Sequence, residues 1–186
     1  MKRVFDLVIS IPTLIVLLPV LLFLAVVIKL DSKGPVIFKQ KRSGRNHTLF
    51  TIYKFRTMKV DTPDIPTHLL NNPEVYISRV GRILRKTSLD ELPQLFNILK
   101  GDMSIVGPRP ALHNQLELIS MREQFNVHRI PPGLTGWAQI NGRDDISDEM
   151  KAQYDLYYLQ NHNLWMDIKI IFRTVSSVAS SKGIKA

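Results

Sequence analysis

Residues Leu7 to Ile28 read LVISIPTLIVLLPVLLFLAVVI, 22 positions without a charge. At about 1.5 Å per residue, a straight helix of that length matches a hydrocarbon core of about 30 Å. A secretory signal fits less well. Its apolar region is usually about 7–15 residues and ends at a small-residue cleavage site, and no such site precedes Lys29. A buried helix of a soluble protein is the remaining alternative. The flanks bear on topology: Lys2 and Arg3 stand at one end, Lys29 and Lys33 at the other. Basic flanks are held on the cytoplasmic side, and a straight span would carry one pair across. Pro19, near the middle, removes a backbone hydrogen bond and crowds the preceding turn. These features favour a re-entrant, non-spanning helix-break-helix over residues 1–30, broken at Leu18-Pro19. Ser10 or Thr13 hydroxyls would then serve carbonyls freed at the break. Residues 31–186 are expected to form one membrane-associated domain on the cytoplasmic side.

The whole chain has 186 residues, 45% hydrophobic, with a formal net charge of +9. Such a charge favours anionic partners: nucleic acid, acidic headgroups or phosphorylated substrates. No recognisable nucleic-acid module is present, so nucleic acid is not expected. Between Lys29 and Lys59 lie nine basic residues and one acid, Asp31. Beside a membrane helix these read as contacts to anionic lipids, about 1 kcal/mol each. The absence of cysteine excludes disulfides and thiolate metal sites. The five histidines have no zinc-like spacing and read as ordinary surface or core residues.

The soluble part reads as α+β, mainly helical, with a small β-hairpin. PVIFKQ and LFTIYKF are β-rich and are separated by KRSGRNHT, a loose turn. Residues 60–78 are rich in proline and polar residues and read as a loop. Arg79, Arg82 and Arg85 recur along one side of a helix that also carries Val80, Ile83 and Leu84. LPQLFNILKGDM reads as a helix ending near Gly101, and RIPPGLTGWAQINGR as a structured loop with a short extended piece. Two more helices are expected over Asp148–Leu159 and Leu164–Val178. In the second, Trp165, Lys169 and Arg173 suit either a membrane interface or core packing.

Between these elements lies RKTSLDELPQLFNILKGDMSIVGPRP, Arg85 to Pro110. Its Asp90 and Glu91 admit two readings. Ser88 and Glu91 fit a capping box, or Asp90 is an N-cap with Pro93 in the first turn. Alternatively the pair is a reaction centre. Arg85 and Lys86 precede it, and Arg109 stands between two prolines that stiffen its backbone for phosphate binding. An ionised Asp can attack phosphorus, and a neighbouring Glu can hold Mg²⁺ that bridges phosphates.

The motifs KFRTM, TSLDELPQLFNILKGDMSIVGPRP, PGLTGWAQINGR and YDLYYLQNHNLWMDIKI resemble the bacterial sugar transferases, the monotopic polyprenyl-phosphate phosphoglycosyl transferases. The likeness runs from KRVFDL to the last helix. With no four-helix membrane domain ahead of it, the sequence is similar to the small class that includes the enzyme beginning N-glycan assembly in Campylobacter. The resemblance implies transfer of a sugar-1-phosphate from a UDP-sugar to polyprenyl (undecaprenyl) phosphate at the cytoplasmic face of the bacterial inner membrane, with release of UMP. It implies Asp90 as the nucleophile of a ping-pong reaction through a covalent phosphoglycosyl-aspartate, and Glu91 as the Mg²⁺ ligand. Arg85, Arg109 and Lys54 would steady phosphates, and Gln139 and Arg143 would contact substrate. The family's membrane helix breaks at Ser-Pro, where this chain has Leu18-Pro19. Two rival readings are a membrane-attached aspartyl-phosphate phosphatase and a non-enzymatic basic membrane adaptor.

Overall fold

The computed structural model describes residues 1–62, 72–142 and 146–179. Helix α1, Lys2–Asp31, is the longest element among the described residues. Leu21, Leu24 and Ile28 on its inner face pack with Phe55 and Leu84, while Ile9, Leu14 and Leu17 reach the main core. The opposite face carries Val4, Val8, Ile11, Ile15, Leu18, Leu22, Val26 and Leu30, each 45–81% exposed. Steps of three and four residues place them in one apolar row.

Both ends of α1 are tied to the same body. At the start, Lys2 Nζ meets Asp167 at 2.7 Å, and Arg3 donates to the carbonyls of Ile98 and Leu99. Asp6 accepts from Ser104 Oγ and Ile105 N–H at 2.9 and 3.0 Å. At the other end, buried Arg56 donates to the carbonyls of Ser32 and Lys33, and Asp31 accepts from Val80 N–H. The helix-break-helix expectation needs correction: Pro12 and Pro19 lie inside one unbroken helix. Proline deletes one backbone donor and bends a helix, but packing on either side keeps the neighbouring turns closed. Here Leu14, Leu17 and Leu21 hold those turns against the body, and Leu18 and Pro19 face outward.

The expected hairpin forms from β1, Ile37–Ser43, and β2, Leu49–Phe55, paired from Ile37↔Phe55 to Ser43↔Leu49. Alternation along β2 puts Phe50, Ile52 and Lys54 on one face. Phe50 and Ile52 are buried in the core, so Lys54 continues an inward row. Helix α2, Arg79–Thr87, starts at Ser78, whose Oγ accepts from Gly81 N–H at 2.9 Å. Helix α3, Gln94–Lys100, stops at Gly101, whose φ of 93° lies in the left-handed region glycine tolerates. Strand β3, Ser104–Val106, then pairs in parallel with β4, Gly133–Thr135. A Cβ on Gly133 would lie 2.1 Å from Gly107 N, so only glycine permits this crossing. Helices α4, Leu116–Gln124, and α5, Trp137–Asn141, precede the expected α6, Asp148–Asn161, and α7, Leu164–Ala179. The main core joins β2, α3, β3, α6 and α7 through Ile52, Ile98, Val106, Tyr158 and Ile170. The mainly helical α+β class is as expected. Residues 63–71 of the expected 60–78 loop lie outside the described residues; the flanking chain closes through a Met58↔Ile77 bridge.

Candidate active site

Helix α2 ends where Ser88 takes the left-handed conformation, φ 56°, and donates its N–H to Arg85 O. The chain then makes a 3₁₀ turn, Leu89–Glu91, in which Glu91 N–H returns to Ser88 O. Pro93, without an N–H, leads into α3. Neither capping reading holds: Ser88 closes the preceding helix and precedes the 3₁₀ turn without a side-chain cap bond, and the acids lie in that turn, ahead of α3, whose N-cap position is Pro93. The left-handed residue redirects the chain, and the turn brings Glu91 to β2.

Glu91 Oε1 is 2.8 Å from Lys54 Nζ and 2.9 Å from Arg109 Nη2. Burial opposes ionisation of Glu91, yet these two cations hold its carboxyl well below the usual carboxylate range. Asp90 behaves differently. Among the described residues its carboxylate accepts no hydrogen bond, and burial, then the charge of Glu91, push it up to about 6. Lys54, Arg109 and Arg85 act in the opposite direction. The dyad is therefore split into a locked anion and an available carboxylate, the pattern that divides roles between paired acids. At pH 7, a group titrating near 6 is about ten to one ionised. A reaction that uses Asp90 as nucleophile needs this ionised form, so kcat/KM is expected to fall about tenfold per pH unit below about 6. A pH–rate profile checks this; a profile flat from pH 7 to 5 contradicts it.

The Pro108-Arg109-Pro110 segment is pinned by its carbonyls. Pro108 O accepts from Gly133 N–H at 2.8 Å, Arg109 O from Arg122 Nη1 at 2.9 Å, and Pro110 O from Arg42 Nη1 at 3.1 Å. Ala111 O accepts from Ser43 N–H at 3.0 Å. Prolines keep the segment out of regular pairing, and donors from four different places replace it. Arg122 is itself buried and held by Asp155 Oδ2, at 2.9 Å from Nε and 2.6 Å from Nη2. The α4–α6 pair thus fixes the backbone from which Arg109 reaches Glu91.

Of the sequence-predicted site residues, the structure brings together Asp90, Glu91, Lys54 and Arg109, with Arg85 close enough to act on Asp90. Gln139 is engaged elsewhere: its Nε2 donates to Leu134 O at 3.0 Å. Arg143 lies outside the described residues. Three residues were missed. Arg122 and Asp155 are separated by 33 positions and carry no local pattern. Gln94 reads as an ordinary helix residue, yet it is 2% exposed, lines a small cavity with Lys54 and Arg109, and leaves Nε2 without a partner among the described residues.

The family model described as "Bacterial sugar transferase" matches residues 1–181. The uncharacterized sugar transferase EpsL of Bacillus subtilis is 46% identical over 185 residues, covering 100% of this chain and 90% of the relative. The exopolysaccharide production protein ExoY of Sinorhizobium fredii is 39% identical over 197 residues, 98% of this chain and 87% of that one. The UDP-glucose:undecaprenyl-phosphate glucose-1-phosphate transferase of Escherichia coli is 42% identical over 182 residues, 94% of this chain but 39% of that one. This chain spans well under half the length of several relatives named as phosphotransferases. The match extends over the dyad turn, the pinned arginine and the helix beneath them, and the chain belongs to the bacterial sugar transferase family.

Proposed function

We propose that this protein transfers a sugar-1-phosphate from a UDP-sugar to polyprenyl (undecaprenyl) phosphate, releasing UMP. The observation that carries the reading is the split dyad: an available, partly buried Asp90 beside a Glu91 locked between Lys54 and Arg109. In the first half-reaction an Asp90 oxygen attacks the β-phosphorus of the donor. The bond from that phosphorus to the bridging oxygen breaks, UMP leaves with the electron pair, and a phosphosugar remains on Asp90. In the second, a phosphate oxygen of polyprenyl phosphate attacks the same phosphorus. The Asp90–phosphorus bond breaks, giving polyprenyl-diphosphate-sugar and the free carboxylate. The carboxylate spares two repelling phosphates a direct encounter, and Lys54, Arg109 and Arg85 offset the charge on each.

Mg²⁺ belongs to this reading, and the donor chemistry fits it. Two adjacent carboxylates offer hard oxygens, and Lys54 and Arg109 both contact one oxygen of Glu91, Oε1. Glu91 would hold the ion beside Asp90, where it would neutralise diphosphate charge.

The apolar outer row of α1 and exposed Trp165, Phe172 and Val175 of α7 support attachment to a lipid surface. Bonds from both ends of α1 to one body support a non-spanning helix whose two ends stay on the cytoplasmic side of the inner membrane. Of the basic residues from Lys29 to Lys59, the exposed Lys29, Lys33, Lys39, Lys41 and Lys59 would meet anionic headgroups, whereas Arg56 is buried and Lys54 holds Glu91. Single cysteines at Lys2 and Lys33 should be labelled from the same side of sealed vesicles; opposite-side labelling rejects this topology. For activity, a panel of UDP-sugars with undecaprenyl phosphate should yield UMP and lipid-linked diphosphate sugar in equal amounts. Sugar phosphate released to water instead would mark a phosphatase.

A further inference from the structure

Gln94 opens α3, one turn beyond the dyad. From Leu89 the backbone winds on through Leu92 and Pro93, both right-handed, into α3. Side chains three or four positions apart in such a run share a face, so Gln94 follows Asp90 and Glu91 along one side. It borders the small cavity lined by Arg42, Ile52, Lys54, Arg109 and Pro110. The residue is 2% exposed, and its buried Nε2 finds no partner among the described residues. An unmatched buried amide is costly and calls for a reason.

The walls of the cavity explain why Nε2 is unmatched. The side chains of Arg42, Lys54 and Arg109 carry donors only, and Ile52 is aliphatic. The Pro110 carbonyl already accepts from Arg42 Nη1 at 3.1 Å. Glu91 gives Oε1 to Lys54 and Arg109 together. The cavity therefore gathers donors and positive charge around a space with little to receive them. An anionic oxygen completes such a site. A sugar ring or a base is too large for it, whereas a single phosphoryl oxygen fits.

We propose that Gln94 is a further catalytic residue, whose amide N–H donates to a nonbridging oxygen of the phosphoryl group being transferred. The inference rests on the phosphoryl-transfer reading of the dyad and adds a donor to the reacting group. It applies to both half-reactions, because the same phosphorus is attacked in each. Charge on those oxygens must be met in the transition state, and donors fixed in advance stabilise it most. Gln94 is fixed by α3. Leu95 and Ile98 sit in the main core, and Asn97 bonds Thr51 O at 2.7 Å and Tyr53 N–H at 3.0 Å on the strand that carries Lys54. A neutral amide also suits the position. A further cation one turn from Asp90 would pair with that carboxylate and lower its basicity, whereas an amide adds a donor without charge. No proton moves in this contact.

The test uses the whole chain in detergent, with Gln94→Leu and Gln94→Met, which keep most of the buried volume and remove the amide. Each should lower kcat about 100-fold and leave the KM for UDP-sugar within about threefold of wild type. The thermal midpoint should stay level or rise, because an unmatched buried amide has been removed. That combination separates a catalytic donor from a packing residue, whose loss lowers the midpoint. A folded variant with kcat within about threefold of wild type overturns the assignment. So does a midpoint lowered by about 5 °C or more in both variants. In either case wild-type transfer is untouched, and the transferase reading stands. A wild-type protein that releases no UMP from any UDP-sugar overturns that reading and the role of Gln94 together.

Discussion

Asp90→Asn is expected to lower turnover by about 10⁴-fold or more, because removal of a nucleophile leaves only binding and electrostatic stabilisation. The fold should survive. Asp90 sits in a short turn, accepts no hydrogen bond among the described residues, and is held above its ordinary pKa by burial and by Glu91. Its charge is therefore a cost to the folded state at neutral pH. A group with a raised folded pKa contributes stability below its unfolded value that is lost as pH rises through about 6. Neutralising Asp90 should remove that loss, leaving the thermal midpoint at pH 7 unchanged or higher. Glutamate at this position tests placement, since it keeps the charge but moves the oxygens. Wild-type turnover in Asp90→Asn would remove Asp90 from the chemistry.

The second large effect concerns a residue far from the reacting atoms. Arg122→Ala should destabilise the protein by about 3–5 kcal/mol, the usual cost of leaving a buried charge without its partner. The Arg122 and Asp155 side chains are 10% and 2% exposed and 2.6 Å apart. Burial raises the Asp155 pKa and Arg122 opposes that rise, so the carboxylate depends on the guanidinium. For a chain of this size the loss corresponds to a fall in Tm of about 6–20 °C. The double replacement Arg122→Met with Asp155→Leu should recover much of it, since an apolar pair leaves no charge stranded. It should not recover activity, because Arg109 O loses the donor that fixes it. Full activity in a folded double variant would mean that the remaining carbonyl bonds suffice to position Arg109.

Much of this architecture could be read from the chain because local chemistry specifies it. Twenty-two uncharged residues made α1 visible, alternation marked the hairpin, and Gly101 marked the end of α3. The β3–β4 pair was missed because three-residue strands carry almost no period, and their pairing depends on glycines 107 and 133 meeting across the fold. Helix α4, LELISMREQ, has no clean apolar stripe and buries Arg122 beside Leu118. Pro19 argued for a break that tertiary packing overrode. At the site, adjacency revealed Asp90 and Glu91, and the flanking prolines drew attention to Arg109. Lys54 was placed by strand alternation only once the hairpin's inner face was known. Arg122 and Asp155 act through a contact across the fold, and Gln94 is buried beside Lys54 and Arg109 by tertiary packing, for which a single sequence offers no signal.

The most direct test of the covalent mechanism omits the acceptor. The purified protein, mixed with its UDP-sugar and Mg²⁺ but no polyprenyl phosphate, should release close to one equivalent of UMP in a burst. Intact-mass and peptide analysis should place one hexose-phosphate-sized adduct on Asp90, and polyprenyl phosphate should discharge it. An enzyme that turns over with acceptor present, yet shows neither burst nor adduct without it, would contradict the account and indicate direct attack of the lipid phosphate on the donor.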